Sequence, residues 1–325
     1  MTAARPTADA AQGHALGIDV GGTKIAGAIV DLATGALTAR RQVPTDYERG
    51  GPAILADTRA LARDLADEAQ RLGLRPKSLG VGVAELVDRQ GRVFSDHRIR
   101  WTGLDVAGTL GAVLPTVMSA DVRAAALAEA RFGAGRGLTD FYFVTIGTGV
   151  SGVLVLGGVP YAGSRGAALV IANSMERHLC PHCGHVTTGM VEDAASGPGL
   201  VAALGRGGVA EDVLAAATAG DQAALHAIDH ATAPLGRVLA LLADGLDPQA
   251  IVIGGGLGSA PGPYFTALTR AIRAGLWDGV PNPLILTQAA LGPNAGLIGA
   301  ACATVTQNPE SENRPFHHSQ PKGED

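Results

Sequence analysis

Apolar residues in this chain come in short blocks punctuated by glycine turns, and the blocks predict the architecture. Ala15 to Val20 is an apolar strand that runs into Gly21-Gly22, and Lys24 to Asp31 reads as its hairpin partner. Gly35 marks a turn before a third strand over Thr38 to Val43. Between Ala53 and Leu72, the apolar side chains Ile54, Leu55, Leu61, Leu65 and Leu72 recur at helical spacing, which predicts an amphipathic helix. Leu79 to Ala84 is a short buried strand.

The order then repeats. Phe141 to Ile146 predicts a strand ending in Gly147-Thr148-Gly149, with a following strand over Gly152 to Leu156. Ala223 to Leu242 predicts a long helix, and Ile251 to Ile253 a buried strand ending in Gly254-Gly255-Gly256. Two halves that each open on a strand and a glycine turn imply a duplication with a cleft between them. Asp121 heads a helix over Val122 to Arg131 at about the junction, and Ala295 to Val305 is a last helix expected to return to the first half. The domains expected are an N-terminal α/β unit over 14–119, a C-terminal α/β unit over 120–294 and the returning helix over 295–306. Residues 1–13 and 307–325 are polar and are expected to be flexible tails.

Composition sharpens this. A chain of 325 residues with 46% hydrophobic and 17% charged positions suits two packed domains. Its 46 glycines, in so apolar a chain, point to tight turns and to backbone approaching a ligand. The net charge of -5 and the absence of a basic stripe argue against nucleic acid as a partner. Apolar runs such as Val150 to Val159 are too short to span a membrane and the first residues hold no secretion signal, so a cytoplasmic protein is expected. Three cysteines make no disulfide framework; Cys302 lies in an apolar segment and is expected in the core.

The first turn carries candidate chemistry. Gly21 and Gly22 clear side chains from where backbone N–H groups would face a phosphate, and Thr23 adds a hydroxyl. Asp19, at the end of its strand, can hold Mg²⁺ directly or through water. Gly147, Thr148 and Gly149 repeat the turn in the second half, and Gly254, Gly255 and Gly256 offer a flat surface for a base or ribose.

At this point the chain resembles the ROK group (repressors, open reading frames and sugar kinases) over about Leu16 to Ala303. The resemblance rests on Gly17-Ile-Asp-Val-Gly-Gly-Thr-Lys24, on Ala124-Ala-Ala-Leu-Ala-Glu129 with Phe132-Gly-Ala-Gly135, on Val144-Thr-Ile-Gly-Thr-Gly149, on Gly254-Gly-Gly256 and on Ala295-Gly-Leu-Ile-Gly-Ala300. It implies an α/β fold of two actin-like ATPase domains, the duplicated ribonuclease H-like βββαβα sugar-kinase architecture, and transfer of the γ-phosphoryl of ATP to a sugar hydroxyl. It further implies ATP and Mg²⁺ as cofactors, a small polyol or sugar as partner, and a homodimer. Asp121 matches the aspartate that serves as general base, although an aspartate there can also simply cap the helix that follows. Glu129 is expected to order its helix and the nearby loops, and Trp101 either walls the acceptor site or packs.

The acceptor side departs from that pattern. Ala120 and Arg123 stand where two asparagines belong, Val170 replaces a glutamate, Asn173 replaces a histidine, and Ala84-Glu85 replaces Pro-Gly. Glu192 matches a glutamate that reaches the sugar. The expected acceptor contacts are therefore Glu85, Asp121, Val170, Asn173 and Glu192. Replacing a carboxylate that pairs with hydroxyls by valine removes the demand for those hydroxyls, so a non-glucose acceptor such as a C7-cyclitol is expected. An ordinary hexose or N-acyl hexosamine kinase and a non-catalytic sugar or nucleotide sensor are the alternatives. Only about 14 residues precede the first strand, too few for the helix-turn-helix of the repressor branch.

The resemblance also brings a zinc site, here rewritten as His178-Leu-Cys180-Pro-His-Cys183-Gly-His185. Two thiolates at Cys-x-x-Cys spacing grip one tetrahedral ion, so Cys180 and Cys183 with His185 and His178 are the expected zinc ligands; His182 is a further option, and a metal-free loop is the alternative.

Overall fold

The computed structural model of the chain describes residues 13–179, 186–279 and 284–306. The tails expected to be flexible lie outside these residues except for Gly13. The first half runs β1 (His14–Val20), β2 (Lys24–Asp31), β3 (Leu37–Pro44), α1 (Gly50–Arg71), β4 (Leu79–Val83), α2 (Val106–Gly111) and β5 (Thr116–Ala120). Then come α3 (Asp121–Phe132), β6 (Phe141–Ile146), β7 (Val150–Leu156), β8 (Val159–Pro160), β9 (Met175–Leu179), β10 (Val186–Met190), α4 (Val191–Ala195), α5 (Gly197–Leu204), α6 (Ala210–Thr218) and α7 (Gln222–Leu246). The chain finishes with β11 (Ala250–Gly254), α8 (Gly255–Gly258), α9 (Pro263–Gly275), β12 (Ile285–Gln288) and α10 (Ala295–Thr306).

The two five-stranded sheets are copies of one plan. Their orders are β3-β2-β1-β4-β5 and β8-β7-β6-β11-β12. In each, the first strand of the half pairs antiparallel with the second and parallel with the fourth, and the fourth pairs parallel with the fifth. The internal duplication expected from the glycine turns is therefore present in strand order and direction. A two-stranded ribbon, β9 with β10, stands apart from both sheets.

Burial follows from what covers each face. The β4 strand, Leu-Gly-Val-Gly-Val, is buried at every position, whereas edge strand β3 alternates half-buried and exposed residues. Helix α1 turns Ile54, Leu55, Leu61 and Leu65 inward against Leu16, Ile18 and Val81. Each such side chain contributes about 1.5–3 kcal/mol on burial. In the second half, α7 and α9 pack together against the sheet through Leu235, Leu239, Leu268 and Ile272.

The other face of the first sheet is covered from the far end of the chain. Helix α10 lies across β1 and β4 and against α3, with Cys302 buried among Leu127, Ala128 and Ile298. The approach is backbone to backbone. A Cβ on Gly80 would stand 1.8 Å from the Ala300 carbonyl oxygen, on Gly17 2.2 Å from that of Leu297, and on Gly299 1.6 Å from that of Ala124. The glycines inside β1 and β4 are there to let a helix sit directly on the sheet.

This predicts opposite signs for two glycine-to-alanine changes. Gly80→Ala forces α10 off β4 and should destabilise the protein by about 1–3 kcal/mol. Gly245→Ala, in α7 with nothing within 4 Å of the new methyl, should gain about 0.5–1 kcal/mol. Thermal denaturation of the two variants side by side tests this, and equal melting temperatures would refute the packing account.

Candidate active site

The cleft-facing ends of the two sheets assemble the site. Strand β1 ends at Asp19 and Val20, and its turn to β2 closes when Gly21 N–H donates to the Lys24 carbonyl at 3.0 Å. The Thr45 hydroxyl donates to the Gly21 carbonyl at 2.9 Å, and the Thr45 N–H to that of Thr23 at 3.0 Å, so β3 braces the turn. The matching turn between β6 and β7 closes with Gly147 N–H on the Gly149 carbonyl at 2.9 Å. Backbone N–H groups of such glycine turns can receive an anion.

The third glycine run lies directly on the second. Gly255 has φ +82°, and a Cβ there would strike Ile146 backbone at 2.3 Å; Gly256 N lies 3.9 Å from where a Cβ of Gly147 would be. Positive φ and backbone contact leave glycine as the residue that fits. Gly197, at the start of α5, donates to the Gly147 carbonyl at 2.8 Å, which sets a helix N-terminus beside the turn.

Asp19 and Asp121 face one another across Gly82 of β4. A Cβ on Gly82 would lie 3.6 Å from Asp19 Oδ1 and 3.8 Å from Asp121 Cα. The start of α10 closes in from the other side, since a Cβ on Gly296 would be 2.6 Å from Asp19 Oδ2. Withdrawal from water and then the Asp121 charge push the Asp19 carboxyl up to about 7, against a lowering pull from Lys24. Asp121 opens α3, and its Oδ1 accepts the Val122 N–H at 2.6 Å. Burial raises it to about 6; the Val122 N–H lowers it, the Glu85 charge raises it, and the Arg123 charge lowers it. Ala120 is the N-cap of α3 and no side chain caps it, so Asp121 is not the helix cap; a carboxyl tuned toward neutral pH is suited to accept a hydroxyl proton.

The acceptor-side residues are placed unequally. Glu85 is buried and accepts from Ser95 Oγ and from the N–H groups of His97 at 3.0 Å, Arg98 at 2.5 Å and Ile99 at 2.7 Å. Its acceptor capacity is filled by the 95–99 segment. Glu192 Oε2 accepts the Val150 N–H at 2.7 Å and lies beside Gly149, which brings it to the second glycine turn. Val170 and Asn173 sit exposed on the segment between β8 and β9. Trp101 is a packing residue: it is buried, and its Nε1 donates to the Gly51 carbonyl at 3.1 Å. Glu129 is also fully buried, and it accepts from Ala134, Ala290 and Leu291 N–H groups, ordering the loops as expected.

Some neighbours were invisible in the sequence. Tyr47 and Arg98 both crowd Gly22, with Tyr47 Oη 2.5 Å and Arg98 Nη1 3.7 Å from the position of a Cβ there. Gly82 and Gly296 frame Asp19 and could have been suspected, because glycine inside a buried strand or helix marks a close approach. Cys180, Cys183 and His185 lie outside the described residues, and His178 is described only as part of strand β9. Among the described residues no group of three or more His, Cys, Asp or Glu is arranged to hold a metal. Mg²⁺ needs no such group, since it is held through one or two carboxylates and substrate phosphates. The paired Asp19 and Asp121 fit it. When bound, Mg²⁺ would neutralise phosphate charge, with Asp19 as its holder. No described helix is long and apolar enough to cross a membrane.

Two sheets of one plan, a glycine turn after the first strand of each and a pair of raised carboxyls beside them suit an ATP-dependent carbohydrate kinase of the actin-like class. The sequence profile of the ROK family matches residues 15–307. The chain is 33% identical over 294 residues to the N-acetylmannosamine kinase of Escherichia coli O157:H7, covering 88% of this chain and 96% of that protein. Among solved structures it is similar to a ROK family glucokinase from Streptomyces griseus in complex with glucose and AMPPNP, at 29% identity and TM-score 0.75, covering 89% of this chain and 98% of that one. It is likewise similar to the ROK hexokinase from Thermus thermophilus, at 30% identity and TM-score 0.74, covering 91% and 100%. The chain belongs to the ROK family.

A base that must be ionised sets the acid limit of the reaction. With Asp121 raised to about 6, phosphorylation of the acceptor should fall as pH drops through that value rather than near 4, where an ordinary carboxylate titrates. A kcat/KM profile that stays flat down to about pH 5 would remove Asp121 from this role.

Proposed function

We propose that this kinase phosphorylates a sugar-like polyol other than glucose, a C7-cyclitol being the favoured acceptor, with Asp121 as general base. The observation that carries the reading is the contrast between the two sides of the cleft. On the donor side, Gly21, Gly22, Thr23 and Lys24 and the turn at Gly147, Thr148 and Gly149 form matched phosphate turns, with Gly254 to Gly256 stacked beside them for the adenosine. On the acceptor side, Val170 and Asn173 stand where a carboxylate and an imidazole are expected, and the Glu85 carboxylate is occupied by backbone.

In the reaction, Asp121 takes the proton of one acceptor hydroxyl. That oxygen bonds to the γ-phosphorus while the bond to the β–γ bridging oxygen breaks, and ADP leaves with the electron pair. Charge on the transferred group is met by the turn N–H groups and Lys24, which is the kind of stabilisation this chemistry depends on.

A second reading, an N-acetylmannosamine kinase, is favoured by the 33% identity to enzymes of that name. Turnover of ATP with glucose, N-acetylmannosamine and a C7-cyclitol separates the readings. The cyclitol should be the best acceptor, and glucose with kcat/KM near the roughly 10⁴ M⁻¹s⁻¹ of a cognate substrate would overturn the proposal. Asp121→Asn should lower kcat about 10²–10⁴-fold while ATP binding persists. Equal turnover by that variant would remove the base.

A structural zinc held by Cys180, Cys183, His178 and His185 belongs to the same proposal. Two thiolates and two imidazoles are a fitting donor set, and the pairing of Leu179 with Val186 at the ribbon end supports it by bringing both flanks of the motif together. Metal analysis after chelator-free purification should find about one zinc per chain, and less than about 0.3 would exclude the site.

A further inference from the structure

Besides the Asp19 and Asp121 pair, three charged side chains among the described residues are buried: Glu85, Arg123 and Glu129. The two glutamates gather backbone N–H groups of loops, Glu85 those of 97–99 and Glu129 those of 134 and 290–291. Arg123 does something different. Its Nη1 donates to the Gly166 carbonyl at 3.0 Å and its Nη2 to the Val87 carbonyl at 2.6 Å. Val87 follows β4 of the first sheet, and Gly166 lies between β8 and β9 of the second half. One guanidinium on the first turn of α3 thus spans both halves of the molecule.

The two loops also touch directly. Gly166 has φ +87°, and a Cβ there would stand 2.3 Å from the Val87 oxygen and 2.7 Å from Asp88 Cα. The segment so pinned carries Val170 and Asn173, and the loop on the opposite side carries Glu85. Arg123 sits two residues after Asp121, so base and bridge share one helical turn. A planar fork suits two carbonyls at fixed positions in a way that a single ammonium does not.

We propose that Arg123 is a positioning residue: it locks the acceptor-side loops of the two halves together, so the acceptor wall is set before substrate arrives. This rests on the kinase reading for its catalytic consequence but not for the lock itself.

Three variants test it: Arg123→Gln, Arg123→Lys and Gly166→Ala, with whichever of N-acetylmannosamine, glucose or a C7-cyclitol the wild type turns over fastest. Arg123→Gln should raise the acceptor KM by about tenfold, with the ATP KM changing less than about twofold. Arg123→Lys should not restore the acceptor KM, because an ammonium does not reproduce the planar fork on two carbonyls. Trypsin cleavage after the exposed Arg165 gives a readout that needs no substrate, and in Arg123→Gln it should be faster than in wild type. Acceptor and ATP KM values that change together or not at all, with Arg165 cleaved no faster, would overturn the proposal. If the wild type phosphorylates none of the three acceptors, the proposed acceptor class fails and the cleavage rates alone decide the lock. If Arg123→Gln does not fold, Gly166→Ala takes its place: it opens the bridge with the charge retained. Unchanged acceptor KM and unchanged cleavage in that variant would then refute the lock.

Discussion

The contact on which the rest depends is the seating of α10 on the first sheet. The last described helix crosses β1 and β4 at backbone contact, and Gly17, Gly80 and Gly299 remove every Cβ that would hold it away. Protein interiors do not tolerate such overlaps by local give. The consequence reaches the candidate site, because Gly296, in the first turn of the same helix, stands against the Asp19 carboxylate. The position of Asp19 is thus set by a segment far along the chain. It also ties α3, and with it Asp121, to the same packing unit, since α10 and α3 lie side by side.

Around that unit, buried charge does the aligning. Glu85 gathers the 95–99 segment, Glu129 binds the turn after α3 to residues 290–291 just before α10, and Arg123 joins Val87 to Gly166. Each buried ion is satisfied by backbone groups, which is the arrangement that makes a buried charge tolerable. Such a charge holds backbone in one place, because moving the loop would strand the ion. Asp19 and Asp121 differ: burial and like-charge neighbours raise both carboxyls, which singles the pair out as a candidate functional site.

Much of this was legible beforehand. The strand and glycine-turn blocks at 15–22, 141–149 and 251–256 each fell where β1, β6 and β11 end, because a buried parallel strand has to be apolar throughout and a phosphate turn has to lack side chains. The α1, α3, α7 and α10 helices were also read from the sequence. Strand β5, strands β8, β9, β10 and β12, and helices α2, α4 to α6, α8 and α9 were not. Most of these are short and held by partners distant in sequence; α9 is the exception, an amphipathic helix of 13 residues whose spacing could have shown it. The roles of Glu85 and Arg123 were not readable either, since an isolated Glu or Arg in a loop or helix says nothing about which carbonyl or N–H will meet it.

By itself, the order of residues determined the duplication and its two glycine turns, and it marked Asp121 and the altered acceptor positions as candidates, because each of these is written in local chemistry. Tertiary structure alone decided that Asp19 and Asp121 share one cleft, that Gly254 to Gly256 stack on the β6–β7 turn, and that Arg123 bridges the halves. The reason is physical. Local propensity and patterning act over a few residues, whereas charge coupling and backbone contact depend on distances that only the packed sheets and α10 bring about.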